Sequence, residues 1–158
     1  MKPVTLRTRR LVLNQPTVSD RDLIIEYCQD PVFERYMTLP CALRERIDGP
    51  LLGAVGWRAT GNDIGYWLGA PHRGNGYMTE AVIAVVTYLF EIVGLTALQW
   101  ECVVGNASSA SVARAAGFRY TGESPTLLTF RDDSQPLAWH AVLTADDRER
   151  KPGWPTST

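Results

Sequence analysis

The ten residues Pro71-His72-Arg73-Gly74-Asn75-Gly76-Tyr77-Met78-Thr79-Glu80 combine two glycines, a guanidinium and the opening of an apolar stretch with helical spacing. Glycine lets the backbone bend sharply and approach a ligand with no Cβ between them. The first N–H groups of a helix have no partner within it and sit at the positive end of its dipole, which suits an anion. Arg73 adds a planar, forked cation of the shape that phosphate accepts. The chemistry these residues offer is a cradle for a phosphate or pyrophosphate. A P-loop would need Gly-Lys followed by Ser or Thr, and this triplet is missing from the chain. A dinucleotide fingerprint would need a third glycine where Thr79 stands. An ordinary tight turn is the competing reading of the glycines taken alone.

Other reactive side chains are scattered. Cys28, Cys41 and Cys102 are odd in number and widely spaced, with no C-x-x-C pair, which points to reduced thiols in a cytoplasmic protein. Cys102, in a strand-like run, reads as a core residue rather than a nucleophile. His72 and His140 have no metal-ligand spacing, and His72 is expected to flank the phosphate loop. The net charge of −1 gives no basic footprint for nucleic acid. The longest apolar run, around Ala81 to Phe90, is broken by Thr87 and too short to span a bilayer. The basic opening lacks the apolar core of a secretory signal, so a soluble protein with no membrane partner is expected.

The elements that must position the loop follow from periodicity. Leu11-Val12-Leu13 is β-prone, and Pro16 limits its extension. Ser19 and Asp20 are good N-cap residues ahead of a helix over Asp22 to Cys28, which Pro31 interrupts before a further turn or two from Val32 to Met37. Strands are expected at Cys41 to Arg46 and Leu51 to Thr60 around an Asp48-Gly49 hairpin turn. Gly61-Asn62-Asp63 then turns into a third strand, Ile64 to Leu68. Thr79 to Val93 is expected to be helical. Val82, Val85, Val86, Leu89 and Val93 form its stripe, Ile83 and Phe90 widen it, and Gly94 takes the C′ place. Next come a strand from Leu95 to Val104 and a small-residue helix from Asn106, its natural N-cap, to Gly117. The last strands are Arg119-Tyr120, Thr126 to Phe130 and Leu137 to Leu143, with Asp132-Asp133 in the turn. This order defines an α/β domain around a mixed sheet over residues 1–144. The polar, Pro-containing tail of residues 145–158 is expected to be mobile.

Arg73-Gly74-Asn75-Gly76-Tyr77-Met78 resembles the R-x-x-G-x-G/A motif of the GCN5-related N-acetyltransferases (GNAT). Met78 departs from the small last residue, which is tolerable if its side chain points into the core. Ile64-Gly65-Tyr66-Trp67-Leu68-Gly69 resembles the preceding strand in the branch that acetylates ribosomal proteins (RimJ/RimL-like). A second match, Asn106-Ala107-Ser108-Ser109, Val112-Ala113-Arg114 and Gly117-Phe118, resembles that branch's N-x-x-S-x-x-V-A…G-F helix. The opening, Leu6 to Leu13, is similar to its first strand.

The resemblance implies a GNAT fold, α/β (α+β), with a central mixed, mostly antiparallel sheet splayed at the cofactor site and helices on both faces. It implies acetyl-CoA as cosubstrate with no metal, and direct attack by an amine without a covalent acetyl-enzyme. Trp67, Leu68, Arg73, Gly74, Asn75, Gly76, Tyr77, Met78, Thr79, Asn106 and Ser109 are the implied cofactor-binding residues. A backbone N–H beside Trp67 and Leu68 is the implied oxyanion donor. The tyrosine that family members use to protonate the departing thiolate is replaced by Ala113. Ser109 is therefore either the acid or only a cap and pantetheine contact. Asp63 is either the general base or a turn residue, Glu101 the fallback base, and a water chain a further route for the proton. Compared with relatives, the stretch between Pro40 and the Asp48-Gly49 turn is short in this chain. The acceptor expected is a protein N-terminal or small-molecule amine, and a homodimer is open. A catalytically silent acyl-CoA-binding module and an unrelated nucleotide-phosphate binder are the competing functions.

Overall fold

The computed structural model describes residues 2–28, 37–127, 129–130 and 132–155; of the turns expected over Val32 to Met37, only Met37 lies within them. The chain divides into two compact units, Met1–Val93 and Gly94–Thr158. In the first, β1 (Leu6–Arg7), β2 (Val12–Asn14), β3 (Leu39–Arg44), β4 (Gly53–Arg58) and β5 (Asp63–Leu68) pair in chain order, every neighbour antiparallel. A 3-10 turn, Val18–Asp20, leads into α1 (Arg21–Cys28). After β5 comes α2 (Tyr77–Tyr88), prolonged by a π turn over Leu89–Val93. Helix α2 packs against β1, β4 and β5.

The core of this unit is aliphatic, with Leu13, Leu43, Val55, Ile64, Val82, Val85 and Leu89 fully enclosed. Val82, Val85, Val86 and Leu89 are buried as their spacing predicts, but Val93, in the π turn, is only half-buried, and Ile83 is 45% exposed and does not widen the stripe. Gly94 ends the helical run in a left-handed conformation, as a C′ glycine does. The hairpin between β3 and β4 differs from expectation. Its turn closes from Gly49 N–H to the Arg46 carbonyl (2.8 Å), and Leu51 and Leu52 are buried in the connection instead of opening the strand. Burial of those two leucines, which the turn dipeptide did not reveal, sets the longer loop.

The second unit holds β6 (Ala97–Val103), α3 (Ala107–Ala115), β7 (Arg119–Pro125) and β8 (Leu137–Thr144), with β8 antiparallel to both β6 and β7. Strand β7 runs well beyond Arg119-Tyr120, and a bulge between Tyr120 and Gly122 keeps it paired with β8. The expected strand at Thr126 to Phe130 is absent among the described residues there. Thr126 and Phe130 instead bond across the connection to Pro136 and Ser134. Of the tail expected to be mobile, the described residues 145–155 are anchored. Trp154 is buried beside Trp100 and Tyr120 (ring centroids 5.6 Å in both cases) and donates to the Phe118 carbonyl (3.1 Å). Lys151 Nζ donates to the Gly117 carbonyl (2.9 Å). The Arg148 carbonyl passes 2.1 Å from where a Cβ on Gly117 would lie, and Gly117 has φ 99°, so this position admits only glycine.

One buried ion pair ties the start of α1 to β3. Arg44 meets Asp20 with both terminal nitrogens, Nη1 at 2.7 Å from Oδ1 and Nη2 on Oδ2, while its Nε donates to Asn14 Oδ1 (2.8 Å). Both side chains are almost fully enclosed (6% and 5% exposed). Burial alone would raise the Asp20 pKa. The Arg44 hydrogen bonds and charge, with the Thr17 N–H, outweigh it and hold the carboxyl below its ordinary value. Replacing Asp20 by asparagine strands the Arg44 charge, and we expect a loss of about 3 kcal/mol in urea-unfolding free energy. Because the native pKa is lowered, the pair's contribution is complete above the ordinary value of 3.8 and is lost as pH falls below it. The acid limb of the stability curve should therefore flatten in the Asp20→Asn variant.

Candidate active site

The glycine loop begins where β5 ends. Trp67 and Leu68 are half-buried, and the Trp67 ring packs against the small core cluster of Ile24, Ala42 and Leu51. A 3-10 turn, Ala70–His72, carries the chain to Arg73. Arg73 Nε donates to the Leu68 carbonyl (3.1 Å), which folds its stem over the loop. The Asn75 amide donates to the His72 and Arg73 carbonyls (3.2 and 3.4 Å), closing the loop on itself. Gly74 and Gly76 are both left-handed (φ 83° and 77°), and Gly76 is the residue from which α2 starts. A side chain at either position would strain the turn. Met78, the departure from the family motif, is buried at 5% exposure, so its bulk goes into the core and leaves the loop open. Thr79, half-buried, lies in the first turn of α2. His72 does flank the loop, its ring edge-on to Tyr27 (5.9 Å).

Residues that motif reading passed over hold this loop from outside. Arg10, in the connection after β1, donates from Nη1 to the Asn75 carbonyl (2.8 Å) and from Nε to Glu80 Oε1 (2.9 Å); its backbone N–H reaches Glu80 Oε2 (3.1 Å). Its guanidinium lies 4.7 Å from the centre of the Tyr77 ring, and the Tyr77 hydroxyl donates to Glu45 Oε1 (2.9 Å). Thr8 also donates to Glu80. Partial burial would raise the Glu80 pKa, but the hydrogen bonds from Thr8 and Arg10 hold it below the usual carboxylate value. No local signal announces this group, since 65 to 72 residues separate its partners along the chain.

Asp63 opens β5 at the end away from the loop, five strand residues before Leu68, or about 16 Å of extended chain. Arg58, its neighbour across β4 and β5, engages Oδ1 from both Nε and Nη2 (2.9 Å each). In the second unit, Asn106 caps α3, its Oδ1 accepting from Ser109 N–H (3.2 Å) and the Ser108 hydroxyl (3.3 Å). Ser109 is half-buried in the first turn, and Ala113 is fully enclosed. Glu101 accepts from Leu127 N–H (3.0 Å) and lies 3.5 Å from His140 Nδ1, which gives both residues structural partners. Among the described residues no three of His, Cys, Asp or Glu are grouped to hold a metal, and no helix is long and apolar enough to cross a membrane.

Sequence comparison matches residues 38–119, just over half of the chain, to the family described as "Acetyltransferase (GNAT) domain". Two Bacillus subtilis relatives are 30% and 35% identical over 81 and 89 residues, the second being the "Probable N-acetyltransferase YjcK". These alignments take in 51% and 54% of this chain and 44% and 48% of the relatives, so the chain spans about half the length of the curated relatives it matches. Among solved structures, the GNAT-family acetyltransferase from Bacillus anthracis superposes with a TM-score of 0.77 at 16% identity, covering 91% of this chain and all of that one. The ribosomal-protein-S5-alanine acetyltransferase from Vibrio fischeri gives 0.69 at 15% identity, covering 92% and 99%. At such identities the likeness is one of fold. The protein belongs to the GNAT acetyltransferase family, and its α/β fold is that of the family.

Burial pushes the Cys41 and Cys102 thiols up to about 12, with the Glu101 charge adding to the effect at Cys102. A thiol so far from ionising is a poor nucleophile. Peptide-resolved alkylation of the native protein at pH 8 should leave both unlabelled over a time in which urea-unfolded protein is fully labelled.

Proposed function

We propose that the protein transfers the acetyl group of acetyl-CoA to an amine by direct attack in a ternary complex. The observation that carries this reading is the pair of left-handed glycines at the β5-to-α2 junction, beside Arg73, in a chain of the GNAT family. In this reading the open N–H groups at the start of α2 hold the pyrophosphate, and Trp67 and Leu68 flank the pantetheine arm. The amine nitrogen bonds to the thioester carbon, and a backbone N–H beside Trp67 and Leu68 receives the oxyanion. As the C–S bond breaks, the Ser109 hydroxyl supplies the proton to sulfur, in the place of the family tyrosine that Ala113 replaces, while Asn106 contacts the pantetheine.

The amine's own proton goes to water, with Asp63, at the far end of β5, as its acceptor through a water chain. Arg58 occupies only Oδ1, and Oδ2 accepts no hydrogen bond among the described residues, which supports Asp63 as the acceptor. The acceptor amine is a protein N-terminus or a small molecule, in the cytoplasm. The acetyltransferase domain is residues 1–144, and the segment that follows is anchored to it through Lys151 and Trp154. A homodimer is compatible with this assignment.

Isothermal titration with acetyl-CoA and with CoA tests the cofactor. Micromolar binding of both is expected, and no binding of either would reduce the loop to a turn. Gly76→Glu should abolish that binding, because a residue with a Cβ is strained at φ 77° and the turn that aims the loop N–H groups is lost; unchanged affinity would remove the phosphate from this loop. Ser109→Ala should lower kcat by about a hundredfold with little change in Kd if Ser109 is the acid. Equal losses in both would make it a binding residue. Binding without thiol release from any screened amine would favour the silent acyl-CoA-binding module.

A further inference from the structure

A trans peptide is planar, and its C=O and N–H point in opposite directions. Arg10 Nη1 holds the Asn75 carbonyl at 2.8 Å, so the N–H of Gly76, in the same peptide, faces away from Arg10. This peptide joins Asn75 to Gly76, and Gly76, whose φ is 77°, is the residue whose φ must change if the peptide turns over. Glycine accepts either sign of φ, so little in the chain itself prevents the peptide from turning over. Turned over, it would present a carbonyl oxygen where an anion needs a donor.

Arg10 is itself fixed. Its Nε and backbone N–H are taken by the Glu80 carboxylate (2.9 and 3.1 Å), which also receives the Thr8 hydroxyl. Its guanidinium lies over Tyr77, whose hydroxyl is tied to Glu45. The pinning groups come from the segment after β1, the loop after β3 and the first turn of α2, and they converge on one loop carbonyl.

We infer that Arg10 is a positioning residue that locks the Asn75–Gly76 peptide with the Gly76 N–H turned toward the cofactor pyrophosphate. It acts through the peptide rather than by its own charge, and the inference rests on the loop being the pyrophosphate cradle. Glu80 holds Arg10 in place and should share its effect.

The test is Arg10→Met in the full chain, titrated with CoA at low and at high ionic strength. One misdirected N–H to a charged acceptor corresponds to about a tenfold to hundredfold rise in Kd. Because a peptide orientation is not screened by salt, the ratio of variant to wild-type Kd should be the same at both ionic strengths. The kcat at saturating acetyl-CoA should stay within about twofold of wild type, with the defect confined to KM. Glu80→Gln should raise Kd in the same way, and the double variant should bind no worse than Arg10→Met alone.

A ratio that shrinks toward one at high salt would mean that Arg10 acts by charge and would overturn the lock. So would unchanged affinity, or a fall in kcat accompanied by a large drop in Tm. A wild type that fails to bind CoA sinks the cofactor reading and this inference with it. Wild-type binding with an unaffected variant sinks the inference alone.

Discussion

Between Leu68 and Tyr77 the chain leaves a strand and enters a helix within eight residues, and only a backbone with positive φ at Gly74 and Gly76 makes that passage. The constraint is steric. A Cβ in the left-handed region crowds the neighbouring carbonyl, whereas glycine has none. Because α2 starts directly from this turn, its first N–H groups have no preceding helical turn to accept them. The same turn sets where Met78 points. Its burial lets a large side chain occupy a family position that is usually small, without filling the loop.

Three arginine–carboxylate pairs illustrate how burial decides what a charge pair does. Arg44 and Asp20 are almost fully enclosed and satisfied further by Asn14 and the Gly49 carbonyl, so their role is to fix the entry to α1 on β3. Arg10 and Glu80 are more exposed, at 42% and 21%, where an ion pair contributes little to stability; their value lies in the geometry they impose on Asn75. Arg58 and Asp63 are intermediate, and the pairing leaves one carboxylate oxygen clear of the guanidinium.

The second unit is constructed differently, on close backbone approach. Gly117 lets the Arg148 carbonyl pass against it, Lys151 bonds the Gly117 carbonyl, and Trp154 closes over Trp100 and Tyr120. The segment after β8 is thereby part of this unit's packing, although its composition is that of a mobile tail. Trp154, its ring against Trp100 and Tyr120 and its N–H satisfied by the Phe118 carbonyl, is the anchor among the prolines and charges around it.

The sequence by itself determined what depends on neighbours along the chain. The helical spacing of Val82, Val85, Val86 and Leu89, the capping oxygen of Asn106, the glycines that only a sharp turn requires, and the family motif around Arg73 are all local patterns. The structure bears them out because local backbone preferences and burial agree there. What only tertiary structure decided is each feature whose cause lies far away in the chain. Leu51 and Leu52 lengthen a hairpin that the Asp-Gly pair suggested would be tight, because a core elsewhere takes them up. Ile83 faces outward, because the strands that α2 packs on lie against its other side. Arg10 reaches the glycine loop because α2 packs on β1, and no spacing in the sequence encodes a contact across 65 residues.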